Sequence, residues 1–129
     1  MSTNNTNELT RNATVSLREI TAKTVHTICE LDVTAPQKNF VAPNAISISQ
    51  AYFEPKAWFR AIYADEVPVG FVMLFDDPDE PVYFLWRFMI AVDFQGLGFG
   101  RQALDLLDEY VRTRPKATDL FVRDRKSVV

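Results

Sequence analysis

Gly96, Gly98 and Gly100 are three of only four glycines in this chain, and they stand together where an apolar run passes into an amphipathic segment. Glycine costs backbone entropy and is normally spread among turns. A glycine-poor chain that gathers it at one strand-to-helix junction needs close backbone approach there. The amides that open a helix are unpaired and carry partial positive charge, so such a junction is where a phosphate would sit. The fourth glycine, Gly70, falls inside a β-rich run.

The remaining composition limits what this junction serves. A chain of 129 residues, 47% hydrophobic and 24% charged, is long enough for one domain with a real core. Its net charge of −3 argues against nucleic acid or an anionic membrane as partner and suits a cationic substrate better. The longest apolar stretch, residues 82–92, contains Arg87 and is too short to span a bilayer, and the N-terminus has no signal pattern. A single cysteine, Cys29, fits a reducing compartment, so a cytoplasmic location is expected. Cys29 lies on an apolar helical face and reads as core. With one histidine, His26, and no second thiol beside it, no metal site is expected.

Along the chain, residues 1–13 are polar and read as a flexible lead-in. Residues 15–20 alternate as a strand, and Thr21 is placed to cap a helix reaching about Asp32. Pro36 and Pro43 bracket a loop, after which Asn44 is placed to cap a second helix. Residues 58–64 and 67–75 form a hairpin turning at Asp65-Glu66. The acidic turn of residues 76–81 leads into a strand over about 82–92. A helix over about 101–112 carries the stripe Ala103, Leu104, Leu107, Tyr110 and Val111, and residues 120–122 begin a last strand.

Two familiar phosphate loops fail on spacing. Gly100 is followed by Arg101-Gln102 rather than by Lys and Ser/Thr, which excludes a Walker A loop. A dinucleotide fingerprint would need glycine at Arg101, and the preceding strands are hairpin-linked. What remains, Gln95-x-x-Gly98-x-Gly100 opening a helix, resembles the pyrophosphate loop of the GNAT superfamily of N-acetyltransferases, whose pattern is Arg/Gln-x-x-Gly-x-Gly/Ala. Residues 85–90, running into Gln95-Gly96, are similar to bacterial spermine/spermidine acetyltransferase-like members.

The resemblance implies a mixed-sheet α/β fold, β1-α1-α2-β2-β3-β4-α3-β5, with acetyl-CoA as cosubstrate. Amides of Gly96, Leu97, Gly98, Phe99, Gly100 and Arg101 would cradle the pyrophosphate, with Gln95 opening the loop. Arg101 opposes the helix dipole unless it meets a phosphate. A bulge in the fourth strand would splay it from the fifth, so that backbone groups of Phe88, Met89 and Ile90 hold the pantetheine arm and polarise the thioester carbonyl. The acceptor implied is the primary amine of a small molecule, with a polyamine as the subgroup's version and a homodimer as one admissible assembly.

The catalytic residues stay unassigned. No carboxylate occupies residues 83–87, where many members carry a general base, so either a neutral amine binds directly or a carboxylate elsewhere, such as Glu54, serves. The family's usual acid, a tyrosine on a helix after the fifth strand, has no counterpart, and Tyr83 and Tyr110 are wrongly placed. The acidic residues 76–80 would attract a polyamine or merely keep a hairpin soluble. Tyr52, Phe53, Trp58 and Phe59 would wall an acceptor pocket or pack in the core.

The family domain continues with another helix and two strands. Residues 14–123 therefore read as an incomplete domain, and 124–129 as a non-native tail, one back-translation of which reads as a sequencing adapter. Turnover by these residues alone is not expected on this reading. A non-catalytic acyl-CoA-binding module and an inactive fragment stand as the alternatives.

Overall fold

The computed structural model describes residues 9–39, 42–117 and 121–122. The lead-in over 1–8, Leu120 and the tail over 124–129 lie outside them. Five strands form one sheet in the order β1 (Val15–Arg18), β2 (Ala57–Ala64), β3 (Val67–Asp77), β4 (Val82–Ile90) and β5 (Phe121–Val122). The first four are antiparallel, and β5 runs parallel to β4. Helices α1 (Val25–Glu30) and α2 (Asn44–Phe53) lie between β1 and β2, and α3 (Phe99–Arg112) between β4 and β5. This is the element order expected from the sequence.

Strand alternation divides the core into two layers. Gly70, Trp58 and Phe88 face α3, whereas Phe71, Met73, Arg87 and Met89 face α1 and α2. Phe71, Phe88 and Phe99 are each about 1% exposed, and burying a phenyl ring stabilises the fold by about 1.5–3 kcal/mol. The α3 stripe is as expected: Ala103, Leu107 and Val111 are buried with Phe99, while Leu104 and Tyr110 are half-buried.

The chain entering β1 also packs. Ala13 is buried and Leu9 rests against the core, with Ala13 N–H donating to Thr10 O at 3.0 Å. The hairpin at Asp65-Glu66 forms as read, with Asp65 at φ 52° and Arg18 clamping Glu66 at 2.9 Å.

Several boundaries differ from the sequence expectation. Thr21 caps a separate turn, its Oγ1 accepting from Lys23 N–H at 3.2 Å, and α1 begins only at Val25. Asn44 is no cap: it is the first residue of α2, 2% exposed, and its amide donates to Ile28 O at 2.9 Å. A buried amide that ties two helices looks like a capping residue in sequence because both uses place Asn at a helix start. Cys29 is half-buried rather than core; Ile28 fills the core position. α3 starts two residues earlier than read, at Phe99.

Candidate active site

Two bulges shape the centre of the sheet. Between β2 and β3 the pairing passes from Ile62↔Gly70 to Tyr63↔Pro68, so Val69 is extra, and its carbonyl accepts from Ala91 N–H at 2.8 Å. Between β3 and β4 the pairing passes from Met73↔Arg87 to Leu74↔Leu85, which leaves Trp86 unmatched. A bulge places two consecutive residues on one face. Trp86 meets Phe75 edge-on at 6.4 Å on the α1/α2 side, where Arg87 also reaches Gln50.

The second bulge coincides with the end of strand pairing on the outer edge. β5 pairs only with Phe84 and Leu85, so among the described residues no strand covers Phe88, Met89 and Ile90 on that side. Their side chains are occupied in packing, at 1%, 2% and 5% exposure. What this stretch offers a ligand is therefore backbone. Gly70 lies opposite, where an added Cβ would collide with the Met89 carbonyl and lie 3.0 Å from Ile90 Cδ1.

After β4 the chain makes a short 3-10 turn, Val92–Phe94, then the glycine loop. Gly96 and Gly98 have φ of 86° and 84°, the left-handed region that glycine enters without steric cost. A Cβ at either would meet nothing within 4 Å, so the outer side of the loop is open. Gly98 is the N-cap of α3, whose first internal bond runs from Gln102 N–H to Gly98 O at 3.2 Å. The amides of Phe99, Gly100 and Arg101 precede that bond and have no intrahelical acceptor. No acidic side chain occupies the first turn of α3, and Arg101 is exposed there. Ile90, Phe94, Gln95, Gly96, Gly98, Phe99 and Gly100 converge on one open cleft of about 180 Å³. Leu97 instead leans on the core, and Phe88 and Met89 do not line this cleft.

Gln95 acts within the protein. Its Nε2 donates to Ile90 O at 2.8 Å and to Gln37 Oε1 at 3.0 Å, fixing the loop to the end of β4 and to the segment after α1. Val92 N–H donates to Asp32 O at 2.8 Å and reinforces that contact. Gln37 has no sequence signal of its own; only its place in space makes it part of the loop's support. An open nest of amides, a left-handed turn and an exposed arginine fit a pyrophosphate, and the uncovered edge of β4 fits an extended amide-bearing arm.

The candidate acid-base groups do not converge here. Glu54 lies beyond the far end of α2, where its carboxylate accepts from Lys56 N–H at 3.0 Å. Tyr83 donates to Pro115 O at 2.6 Å, and Tyr110 to Asp76 Oδ2 at 2.7 Å. Burial first, then the hydrogen bond and charge of Asp76, push the Tyr110 phenol up to about 12. His26 is exposed and pairs with Glu30 at 3.2 Å. Among the described residues no three His, Cys, Asp or Glu side chains are grouped to hold a metal.

Two cations offset part of the acidic stretch 76–80, whose Asp76 and Asp77 end β3 instead of belonging to the expected turn. Asp76 is held by Arg114 at 3.0 Å, and Lys56 reaches Asp77 at 3.3 Å and Asp79 at 3.6 Å. The four aromatics do not form one wall. Trp58 stacks on Tyr110 at 4.5 Å on the α3 side, and Phe59 packs near Phe71 at 6.2 Å on the other. Tyr52 and Phe53 are 84% and 80% exposed at the end of α2.

Comparison with known proteins bears on the architecture and the family. The sequence profile described as "Acetyltransferase (GNAT) family" matches residues 25–126. No curated protein sequence matches the chain significantly. Among solved structures, a possible acetyltransferase from Clostridium difficile 630 superposes at TM-score 0.64 with 9% identity, over 89% of this chain and 82% of that one. A ribosomal-protein-alanine N-acetyltransferase from Brucella melitensis biovar Abortus 2308 gives TM-score 0.60 and 17% identity, over 87% and 79%. A spermidine N-acetyltransferase from Vibrio cholerae, in complex with CoA and spermine, gives 0.58 and 16%, over 74% of this chain and 62% of its own. These identities speak for the fold; the profile match over most of the chain carries the family. The chain belongs to the GNAT acetyltransferase family and is, by that membership, an acetyl-CoA-dependent N-acyltransferase.

Proposed function

We propose that this chain transfers the acetyl group of acetyl-CoA to the primary amine of a small molecule, using the glycine loop and the bulged end of β4. The carrying observation is the coincidence of the Trp86 bulge, the uncovered edge at Phe88–Ile90 and the open cleft at Gly96–Gly100 on one side of the molecule. In this reading the amides of Gly96, Leu97, Gly98, Phe99, Gly100 and Arg101 and the Arg101 guanidinium bind the pyrophosphate, Gln95 sets the loop, and the backbone of Phe88, Met89 and Ile90 aligns the pantetheine arm. An amide of that stretch donates to the carbonyl oxygen as it gains charge. The amine nitrogen forms the new C–N bond, the C–S bond breaks, and the proton lost by nitrogen balances the one gained by sulfur.

With no carboxylate side chain on β4 beside this edge, the reading has the amine arriving neutral. A polyamine is the acceptor named for one structural neighbour. The excess of carboxylates over residues 76–80 supports the same choice here, whereas Lys56, paired with Asp77 and Asp79, and Arg114, paired with Asp76, weaken it. The single thiol supports a cytoplasmic place for the reaction, and no helix among the described residues is long and apolar enough to cross a membrane.

A second reading, a non-catalytic acyl-CoA-binding module, is favoured by the engagement of both Tyr83 and Tyr110 in structural bonds. Thiol release from acetyl-CoA, followed across a panel of primary amines, separates the two. Amine-dependent release supports transfer; CoA binding with no release for any amine contradicts it and leaves the binding module.

A further inference from the structure

α2 buries two polar side chains, Asn44 and Ser47. The two, one turn apart, share its buried face, and Gln50, a turn further on, is exposed at the rim of that face. Asn44 Nδ2 lies 3.7 Å from Met89 Sδ, and Gln50 Oε1 accepts from Arg87 Nη2 at 3.0 Å, which lays this face along β4. Ser47, between them, is fully buried and its hydroxyl has no partner. Ile46 and Phe53 are exposed instead, at 50% and 80%. Ile48 and Ala51 also rest on the core, so the inner side of the helix is mixed, and its polar members call for polar groups nearby.

At the rim of that face, through Gln50, stands Arg87. The bulge at Trp86 brings it onto the α1/α2 face, directly before the backbone stretch Phe88–Ile90. Its guanidinium donates only to neutral oxygens, Trp86 O at 3.1 Å and Gln50 Oε1 at 3.0 Å, and its Nε is buried without a partner. Arg18, Lys38, Lys56, Arg112 and Arg114 each pair with a carboxylate; among the described residues Arg87 pairs with none. Burial lowers the Arg87 pKa, as desolvation of an uncompensated cation does. The other half-buried arginine without a carboxylate, Arg60, lies over Trp58 on the α3 side and away from this face. The guanidinium also lies 5.7 Å from the centre of the Trp86 ring; a partly desolvated cation held only by that ring and by neutral oxygens gains from an incoming anion.

We infer that Arg87 is a specificity residue that receives a carboxylate of the acceptor, so that the preferred acceptor is a small primary amine that also carries a carboxylate. A carboxylate can replace Gln50 Oε1 on Nη2 and draw the acceptor's amine toward the neighbouring Phe88–Ile90 backbone. A polycation at the same place meets like charge and is disfavoured. The inference rests on the transfer reading for where the acceptor enters, and on Arg87 alone for its chemistry.

Isothermal titration of the full chain with CoA present, using β-alanine, β-alaninamide and spermidine, provides the test. β-Alanine should bind at least about tenfold more tightly than β-alaninamide, the scale of one charge-assisted hydrogen bond. Arg87→Gln should abolish that preference while CoA affinity persists, and Arg87→Lys should retain part of it, which guards against a folding defect in the first variant. Equal affinity for acid and amide, an unchanged preference in Arg87→Gln, or tighter binding of spermidine than of β-alanine would overturn the inference. Carboxylate-dependent binding without thiol release supports Arg87 and contradicts transfer; thiol release with equal affinities does the reverse.

Discussion

Gly70 and Gly98 are glycine for different reasons, and the difference can be measured. Gly70 has no room for a side chain, because a Cβ would strike the Met89 carbonyl and press on Ile90 and Ile62. Gly70→Ala should therefore lose about 2–3 kcal/mol in chemical denaturation, the cost of overpacking against backbone that cannot retreat. Gly98 has space but needs a left-handed φ of 84°, so Gly98→Ala should lose about 1 kcal/mol through strain alone. Gly100 is neither crowded nor left-handed: a Cβ there would rest 3.6 Å from Phe88 and Ile90, in ordinary contact. Gly100→Ala should then gain roughly 0.5–1 kcal/mol of helix stability and, fitting the Gly/Ala tolerance of the family pattern, keep CoA affinity. The same denaturation series reads all three. The sequence showed that Gly98 and Gly100 belonged with Gly96, since their spacing is visible, and set Gly70 apart in a β-rich run; it could not show which was held by φ and which by space, since that depends on β3 and β4 coming into register.

Among the elements, β4 and α2 were legible to different degrees. The run from Val82 to about Val92 reads as a strand, which in the structure ends at Ile90, before the turn at Val92–Phe94; the bulge in it entered only through family resemblance, because the run has no strict alternation for an extra Trp86 to break. Adjacent Trp58 and Phe59 had to face opposite sides of a strand by its period of two, which is why they could not share a pocket wall. α2 was misread at Asn44 because its side chain bonds to Ile28, remote in sequence. The contact of α3 with the end of β3 makes a prediction at this scale. Tyr110 donates to Asp76 while Arg114 holds the other carboxylate oxygen, and the phenol is neutral until about pH 12. An unfolded tyrosine ionises near pH 10. A folded pKa raised above the unfolded one contributes stability that is fully present below about pH 10 and is lost as pH rises through about 12. Thermal melts across that interval should show a steep loss in the wild type and a flatter one in Tyr110→Phe; parallel curves would mean the bond contributes nothing to the packing of α3.

At the scale of the molecule, the sheet is one continuous scaffold, and among the described residues no strand covers the outer edge of β4 at Phe88–Ile90. Two bulges and a hairpin-linked meander bring the open amides of the glycine loop and the uncovered backbone of Phe88–Ile90 to one side, with α2 and Arg87 on the adjoining face. The loop and the element order could be read in advance because local spacing and strand-helix alternation carry them. The acceptor side could not, because it is assembled from residues far apart in sequence. The claim on which the rest depends is that this edge and loop hold an acyl-CoA. Its most direct test is thermal unfolding of the chain over a CoA titration, in wild type and in a variant that places a bulky side chain on the loop, Gly96→Val. A ligand bound only by the native state stabilises it by about 2.7 kcal/mol at a hundredfold excess over Kd, so the wild-type melting temperature should climb by several degrees and keep rising with the logarithm of CoA concentration, while the variant should melt cooperatively with little or no CoA-dependent rise. A wild-type melting temperature that does not move with CoA, or a variant that responds as strongly as the wild type, would contradict the account.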